Sequence, residues 1–265
     1  MPNFEIKTVK TSDAELAYMT FGQGKKAFVI IPGLSLKSVL LSSGAVADAY
    51  SMFAEDYTVY LFDRRKDMKK GVTIADFAAD TAEAMKQLGI KGADILGTSQ
   101  GGMIAMLLAA EHPELVSHLV VASSSARLSG ERLSISSWRS LAKEGKALEL
   151  CNDFISNIYS DAFVERYGSM LAHFMSDCTE DDLERFITSI DACDRLDITD
   201  KIKDITCPVL VIGAENDTVL TGEASRLIAE IIGCEIYMYG DPYRHAVYDE
   251  APDYKERLLT FFSKQ

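Results

Sequence analysis

Six short apolar runs, separated by stretches of helical character, limit what this chain can fold into. They are Ala27-Phe28-Val29-Ile30-Ile31, Tyr57–Phe62, Ala93–Gly97, Val116–Ala122, Cys207–Gly213 and Cys234–Tyr239. Several are apolar without interruption, as a strand buried on both faces must be. Between them lie segments with helical signals. Residues 38–53 are helical but mixed. Thr73-Ile74-Ala75-Asp76 forms a capping box for a helix running to about Leu88, with Gly89 as its C-cap. Gln100–Glu111, Glu223–Ile232 and a final Tyr248–Phe262 complete the set. Such alternation predicts an α/β chain with a mostly parallel sheet covered by helices on both faces. Its crossovers should be right-handed. Phe4–Val9 and Glu15–Phe21, joined by Thr11-Ser12-Asp13, add an antiparallel pair at the N-terminus.

The alternation stops after Ser125 and resumes after Ile205. The expected organisation is therefore a core made of residues 1–125 and 206–265, with residues 126–205 inserted as a helical cap, or lid. Ligands of such sheets sit at the carboxyl ends of the strands, where a cap would cover them. The plain alternative is extra packing helices with no part in a site. Trp138, Phe154, Tyr159, Phe163, Met170 and Phe174 read first as the core of this block, and a few lining a pocket would predict an apolar acyl group.

Composition removes some functions. Over 265 residues, 48% are hydrophobic and 25% charged, a globular profile. A net charge of -13 opposes both nucleic acid and anionic membranes as partners but does not by itself name a substrate; the partner expected is a small-molecule substrate. Cys151, Cys178, Cys193, Cys207 and Cys234 are scattered, without a C-x-x-C pair. They read as reduced thiols of a cytoplasmic protein, with no disulfide framework and no metal or cofactor site. The opening MPNFEIKTVK has no apolar stretch behind a basic start, so no signal peptide is expected. No run of about 18 apolar residues is present to span a membrane.

Chemistry enters at Asp94-Ile95-Leu96-Gly97-Thr98-Ser99-Gln100-Gly101-Gly102-Met103. Gly97–Gly101 matches G-x-S-x-G between a strand and a helix, where a strained turn presents the serine as a nucleophile. A tight turn alone would also use these residue types. A serine hydroxyl needs a base and a group to orient that base. Of four histidines, His112 reads as a helix-end residue, and His118 lies at the amino end of its strand. His173 reads as part of the helical block's own core. His245 lies in Asp241-Pro242-Tyr243-Arg244-His245-Ala246, past the last strand and on the same side as Ser99. Asp217 or Glu215, in the loop after Cys207–Gly213, could orient it; Asp217 is favoured. The order Ser99, Asp217, His245 is that of the α/β-hydrolase triad.

Together, Ile31-Pro32-Gly33-Leu34, Asp63-Arg64-Arg65, the GTSQGG turn, His112-Pro113-Glu114, the Cys207–Gly213 strand with Asp217, and His245-Ala246 resemble the α/β-hydrolase superfamily over nearly the whole chain. The resemblance implies a backbone oxyanion hole from the N–H groups of Gln100 and Leu34. Two departures stand out. Pro32-Gly33 replaces the usual His-Gly, which leaves open what supports that loop. Lys66-Asp67-Met68-Lys69-Lys70-Gly71 replaces a glycine-serine stretch and reads as a solvated loop. Serine at the elbow argues against epoxide hydrolases and haloalkane dehalogenases, which use aspartate there. The expected activity is a carboxylesterase-like serine hydrolase that cleaves a small acyl ester or thioester through an acyl-enzyme. A C–C bond hydrolase, cofactor-free perhydrolase or acyltransferase could use the same triad, and a non-catalytic binding protein is the remaining alternative.

Overall fold

The computed structural model describes residues 2–128, 133–194 and 196–264, with only the backbone described at 133. Residues 129–132 and 195, which belong to the stretch expected as a cap, lie outside the described residues. The N-terminal hairpin is β1 (Phe4–Lys10) and β2 (Glu15–Phe21). Then come β3 (Lys26–Ile31), α1 (Ser43–Ala49), β4 (Tyr57–Arg65), α2 (Ile74–Gln87), β5 (Ala93–Thr98), α3 (Gln100–Glu111) and β6 (Val116–Ala122). Four helices follow: α4 (Leu133–Lys143), α5 (Ala147–Ile158), α6 (Asp161–Ser176) and α7 (Glu180–Asp191). The sheet resumes with β7 (Val209–Ala214), α8 (Gly222–Ile232) and β8 (Glu235–Tyr239), and the chain ends in α9 (Val247–Glu250) and α10 (Tyr254–Phe262).

Among the described residues the sheet has eight strands in the order β1-β2-β4-β3-β5-β6-β7-β8. β1 and β2 run antiparallel to their neighbours, and every later pairing is parallel. Alternate side chains enter two apolar layers. Val29, Ile31, Ile95 and Val211 face the layer that includes α2, α3 and α8. Phe28, Ile30, Leu96 and Ile212 face the layer made with α1 and α10. These strands are apolar throughout because both faces are covered.

Local signals explain the element ends. Thr73 and Asp76 make the reciprocal capping box, and Gly89 takes φ +71° past the end of α2. The segment expected as one helix, Tyr248–Phe262, is instead α9 and α10. Pro252 explains the break: it has no N–H to donate, and it disfavours helical backbone at Ala251, which is extended at ψ 121°. The apolar residues of α4–α7 divide unequally. Trp138 and Phe154 are buried against each other with ring centroids 4.6 Å apart, whereas Met170 and Phe174 are exposed. His173, expected in the core of this block, is exposed on α6, so that expectation is corrected.

Candidate active site

β5 ends at Thr98, and the chain turns directly into α3, with Ser99 at φ +54° and ψ -120°. That backbone region disfavours a side chain, so neighbouring bonds must hold it. The Ser99 N–H donates to Ala122 O at 2.8 Å, and its carbonyl accepts from Ser124 Oγ at 2.7 Å. Glycine is required at position 101, because a Cβ there would collide with the carbonyl oxygens of Ile31 and Pro32. The loop after β3 thus packs directly on the elbow.

Asp217 and His245 come from the loops after β7 and β8 and are buried, at 6% and 3% exposure. His245 Nδ1 lies 2.8 Å from Asp217 Oδ2. A carboxylate only accepts, so Nδ1 carries the proton and Nε2 is left as an acceptor. The other carboxylate oxygen accepts from the N–H groups of Val219 at 2.8 Å and Leu220 at 3.0 Å. Burial pushes the Asp217 carboxyl up, but the facing His245 imidazole and these two amides outweigh it and hold it below its ordinary value. Glu215, the other acid in that loop, is exposed and paired with Arg226.

Ser99, His245, Gln100 and Leu34 line one cavity of about 550 Å³, its mouth included. The rest of its wall is mostly apolar, with Met103, Trp138, Phe154, Ile190, Val219 and Leu220 among the lining residues. No Lys, Arg, Asp or Glu lines it among the described residues. α4, α5 and α7 supply Trp138, Phe154 and Ile190, so the helical block closes one side. It is also bonded to the loops that carry Asp217 and His245. Thr218 Oγ1 donates to Asn157 O at 2.7 Å, and the Ala246 N–H donates to Ile158 O at 2.8 Å.

Some of the residues that build this site were not singled out in the sequence. Arg64, at the end of β4, donates from Nη2 to Pro32 O at 2.5 Å and from Nε to Gln100 Oε1 at 3.2 Å. Ser189 of α7 meets the same Gln100 amide. Asp63-Arg64-Arg65 carried a family likeness but no role, because nothing local says which of two arginines turns inward. Arg65 pairs with Asp80 at 2.8 Å, leaving Arg64 for the site.

The family profile described as alpha/beta hydrolase fold matches residues 26–252. Among curated relatives, 3-oxoadipate enol-lactonase 2 of Acinetobacter baylyi is 23% identical over 238 residues, covering 88% of this chain and 87% of that one. A 2-hydroxy-6-oxononadienedioate/2-hydroxy-6-oxononatrienedioate hydrolase of Klebsiella pneumoniae is 24% identical over 198 residues, covering 67% and 65%. A crystal structure of an alpha/beta hydrolase enzyme from a Medee basin deep-sea metagenome library superposes with a TM-score of 0.86 at 22% identity, covering 98% of both chains. The profile match spans β3 to β8, the Ser99 turn and the His245 loop alike, and the chain belongs to the alpha/beta hydrolase fold family.

Proposed function

We propose that this protein is a serine hydrolase that cleaves esters or thioesters of a small apolar acyl group. The observation that carries the reading is the buried Asp217–His245 pair opening onto the same cavity as the strained Ser99. Ser99 Oγ attacks the acyl carbonyl while His245 Nε2 takes its proton. Asp217 holds the tautomer and stabilises the imidazolium. The tetrahedral oxyanion sits at the N-terminus of α3. There the N–H of Gln100, without an acceptor inside its helix, and the N–H of Leu34 point at developing charge. Protonation of the leaving group by His245 gives an acyl-enzyme, and a water deprotonated by His245 releases the acid. Residues 126–205 act as the cap over this cavity.

The apolar wall supports a neutral acyl chain. A carboxylate on that chain would lose its hydration against Met103, Phe154 and Ile190. The substrate preferred here therefore differs from the dioate in the name of the Klebsiella relative. The test compares p-nitrophenyl butyrate with the p-nitrophenyl ester of a dicarboxylic half-acid of similar length, together with a butyryl thioester and a dienol C–C substrate. The neutral ester or thioester should exceed the half-acid by about a hundredfold in kcat/KM. Preference for the half-acid or for the dienol would overturn the assignment.

A further inference from the structure

The Gln100 side chain sits in a buried polar chain that runs from α7 to the loop after β3. Its Oε1 accepts from Arg64 Nε at 3.2 Å and from Ser189 Oγ at 3.0 Å. Its Nε2 donates to Ser189 O at 2.7 Å and lies 3.2 Å from Cys193 Sγ. All four positions of the amide are used, at a residue only 2% exposed. Arg64 continues the chain to Pro32 O and lies over the Phe77 ring at 5.7 Å. Burial pushes the Arg64 pKa down to about 10, against the opposing charge of Asp63, so the guanidinium stays charged at neutral pH.

Pro32 O and Gln100 Oε1 are neutral acceptors, so Arg64 gains little from them to offset the desolvation of its charge. What it holds is a specific peptide. The Pro32 carbonyl is caught between Gly101 and Arg64 Nη2. Pro32 has one torsion locked by its ring, but the next residue, Gly33, is free at both. Gly33 packs on Ser99, since a Cβ there would stand 3.1 Å from the Ser99 Cβ. A swing of this loop would move the Leu34 N–H relative to Ser99 Oγ.

We propose that Arg64 is a positioning residue for the oxyanion hole, acting through the Pro32 carbonyl, and that the Gln100 side chain ties this anchor to α7. The proposal rests on the hydrolase reading above. It supplies the support that the Pro32-Gly33 departure left open. It also makes oxyanion stabilisation depend on α7 being seated.

The test measures p-nitrophenyl butyrate kinetics for the wild type, Arg64→Met, Arg64→Lys, Gln100→Met and Ser99→Ala. Rates are normalised to sites titrated with a fluorophosphonate, and for Ser99→Ala, which lacks the labelled hydroxyl, to the concentration of folded protein. Misplacing a donor by about 1 Å should lower kcat by about tenfold to a hundredfold in Arg64→Met, with KM changed by less than about threefold. Arg64→Lys should recover part of the loss. Gln100→Met, which keeps the backbone N–H, should show a smaller loss, about threefold to tenfold. It carries the test if Arg64→Met does not fold. An alkyl trifluoromethyl ketone, which forms a hemiketal oxyanion on serine, should bind Arg64→Met more weakly in proportion to the lost kcat/KM. Wild-type kcat in Arg64→Met, or unchanged ketone affinity, beside an inert Ser99→Ala overturns this proposal and leaves the hydrolase reading standing. A wild type inert toward every ester and thioester overturns that reading, and this proposal with it.

Discussion

Among the described residues, aspartate and histidine meet twice. At the amino end of the sheet, His118 Nδ1 lies 2.7 Å from Asp94 Oδ1; at the carboxyl end, His245 Nδ1 lies 2.8 Å from Asp217 Oδ2. Both carboxylates are buried, and both use their second oxygen. Asp94 accepts from the Tyr57 hydroxyl at 2.8 Å, whereas Asp217 accepts from two backbone amides. The pairs differ in what surrounds the imidazole. His118 stands within β6, edge-on to Phe261 at 5.7 Å. His245 sits on a loop past β8 and borders the cavity that holds Ser99. The pair geometry alone therefore carries no chemistry. Placement past a strand's carboxyl end, on the same cavity as the strained Ser99, is what separates the two.

Substitutions can break that contrast, and the largest effect is expected at Ser99, the proposed nucleophile. Ser99→Ala should lower kcat/KM on p-nitrophenyl butyrate by about 10⁶-fold, to the residue left by binding and the oxyanion hole. Equal rates would remove Ser99 from the mechanism. The symmetric pair of amides comes next. Asp217→Asn should cost about 10⁴-fold in kcat by disturbing the His245 tautomer. Asp94→Asn should leave turnover per folded molecule within about twofold while costing about 1 kcal/mol in urea unfolding. A catalytic defect in Asp94→Asn would mean that the two ends of the sheet are not independent.

The smallest effect concerns acid stability. The folded-state pKa of Asp217 lies below its ordinary value of 3.8. Its ionisation therefore stabilises the fold fully above the unfolded pKa, and this contribution is lost as pH falls through the folded value. Asp217→Asn should be less acid-sensitive than the wild type below about pH 4 in denaturant titrations. An unchanged pH slope would contradict the depressed value.

The sequence and the structure part company at identifiable places. The uniformly apolar runs at Phe28–Ile31 and Leu119–Ala122 announce strands covered on both sides, and G-x-S-x-G at a strand–helix junction announces the elbow, because each rests on local rules. Pro252 shows the limit of periodicity. The apolar spacing of Tyr248–Phe262 reads as one helix, yet a single missing N–H divides it. His173 shows another, since α6 buries only Gly168 and Ala172 deeply among its described residues, leaving His173 in water. Arg64 was least legible. Its partners are a backbone carbonyl 32 positions away and an amide 36 positions away, distances over which a sequence carries no local signal. The Gln100–Ser189 contact spans 89 positions and is equally silent before folding.

The proposed chemistry requires that Ser99, and not some other hydroxyl, attacks the acyl group. The most direct measurement incubates the protein with a fluorophosphonate, digests it, and locates the adduct by mass spectrometry. One stoichiometric label on Ser99 is expected, abolished in Ser99→Ala, slowed strongly in Asp217→Asn and unaffected in Asp94→Asn. No label on the wild type, or a label on a different residue that persists in Ser99→Ala, would contradict it.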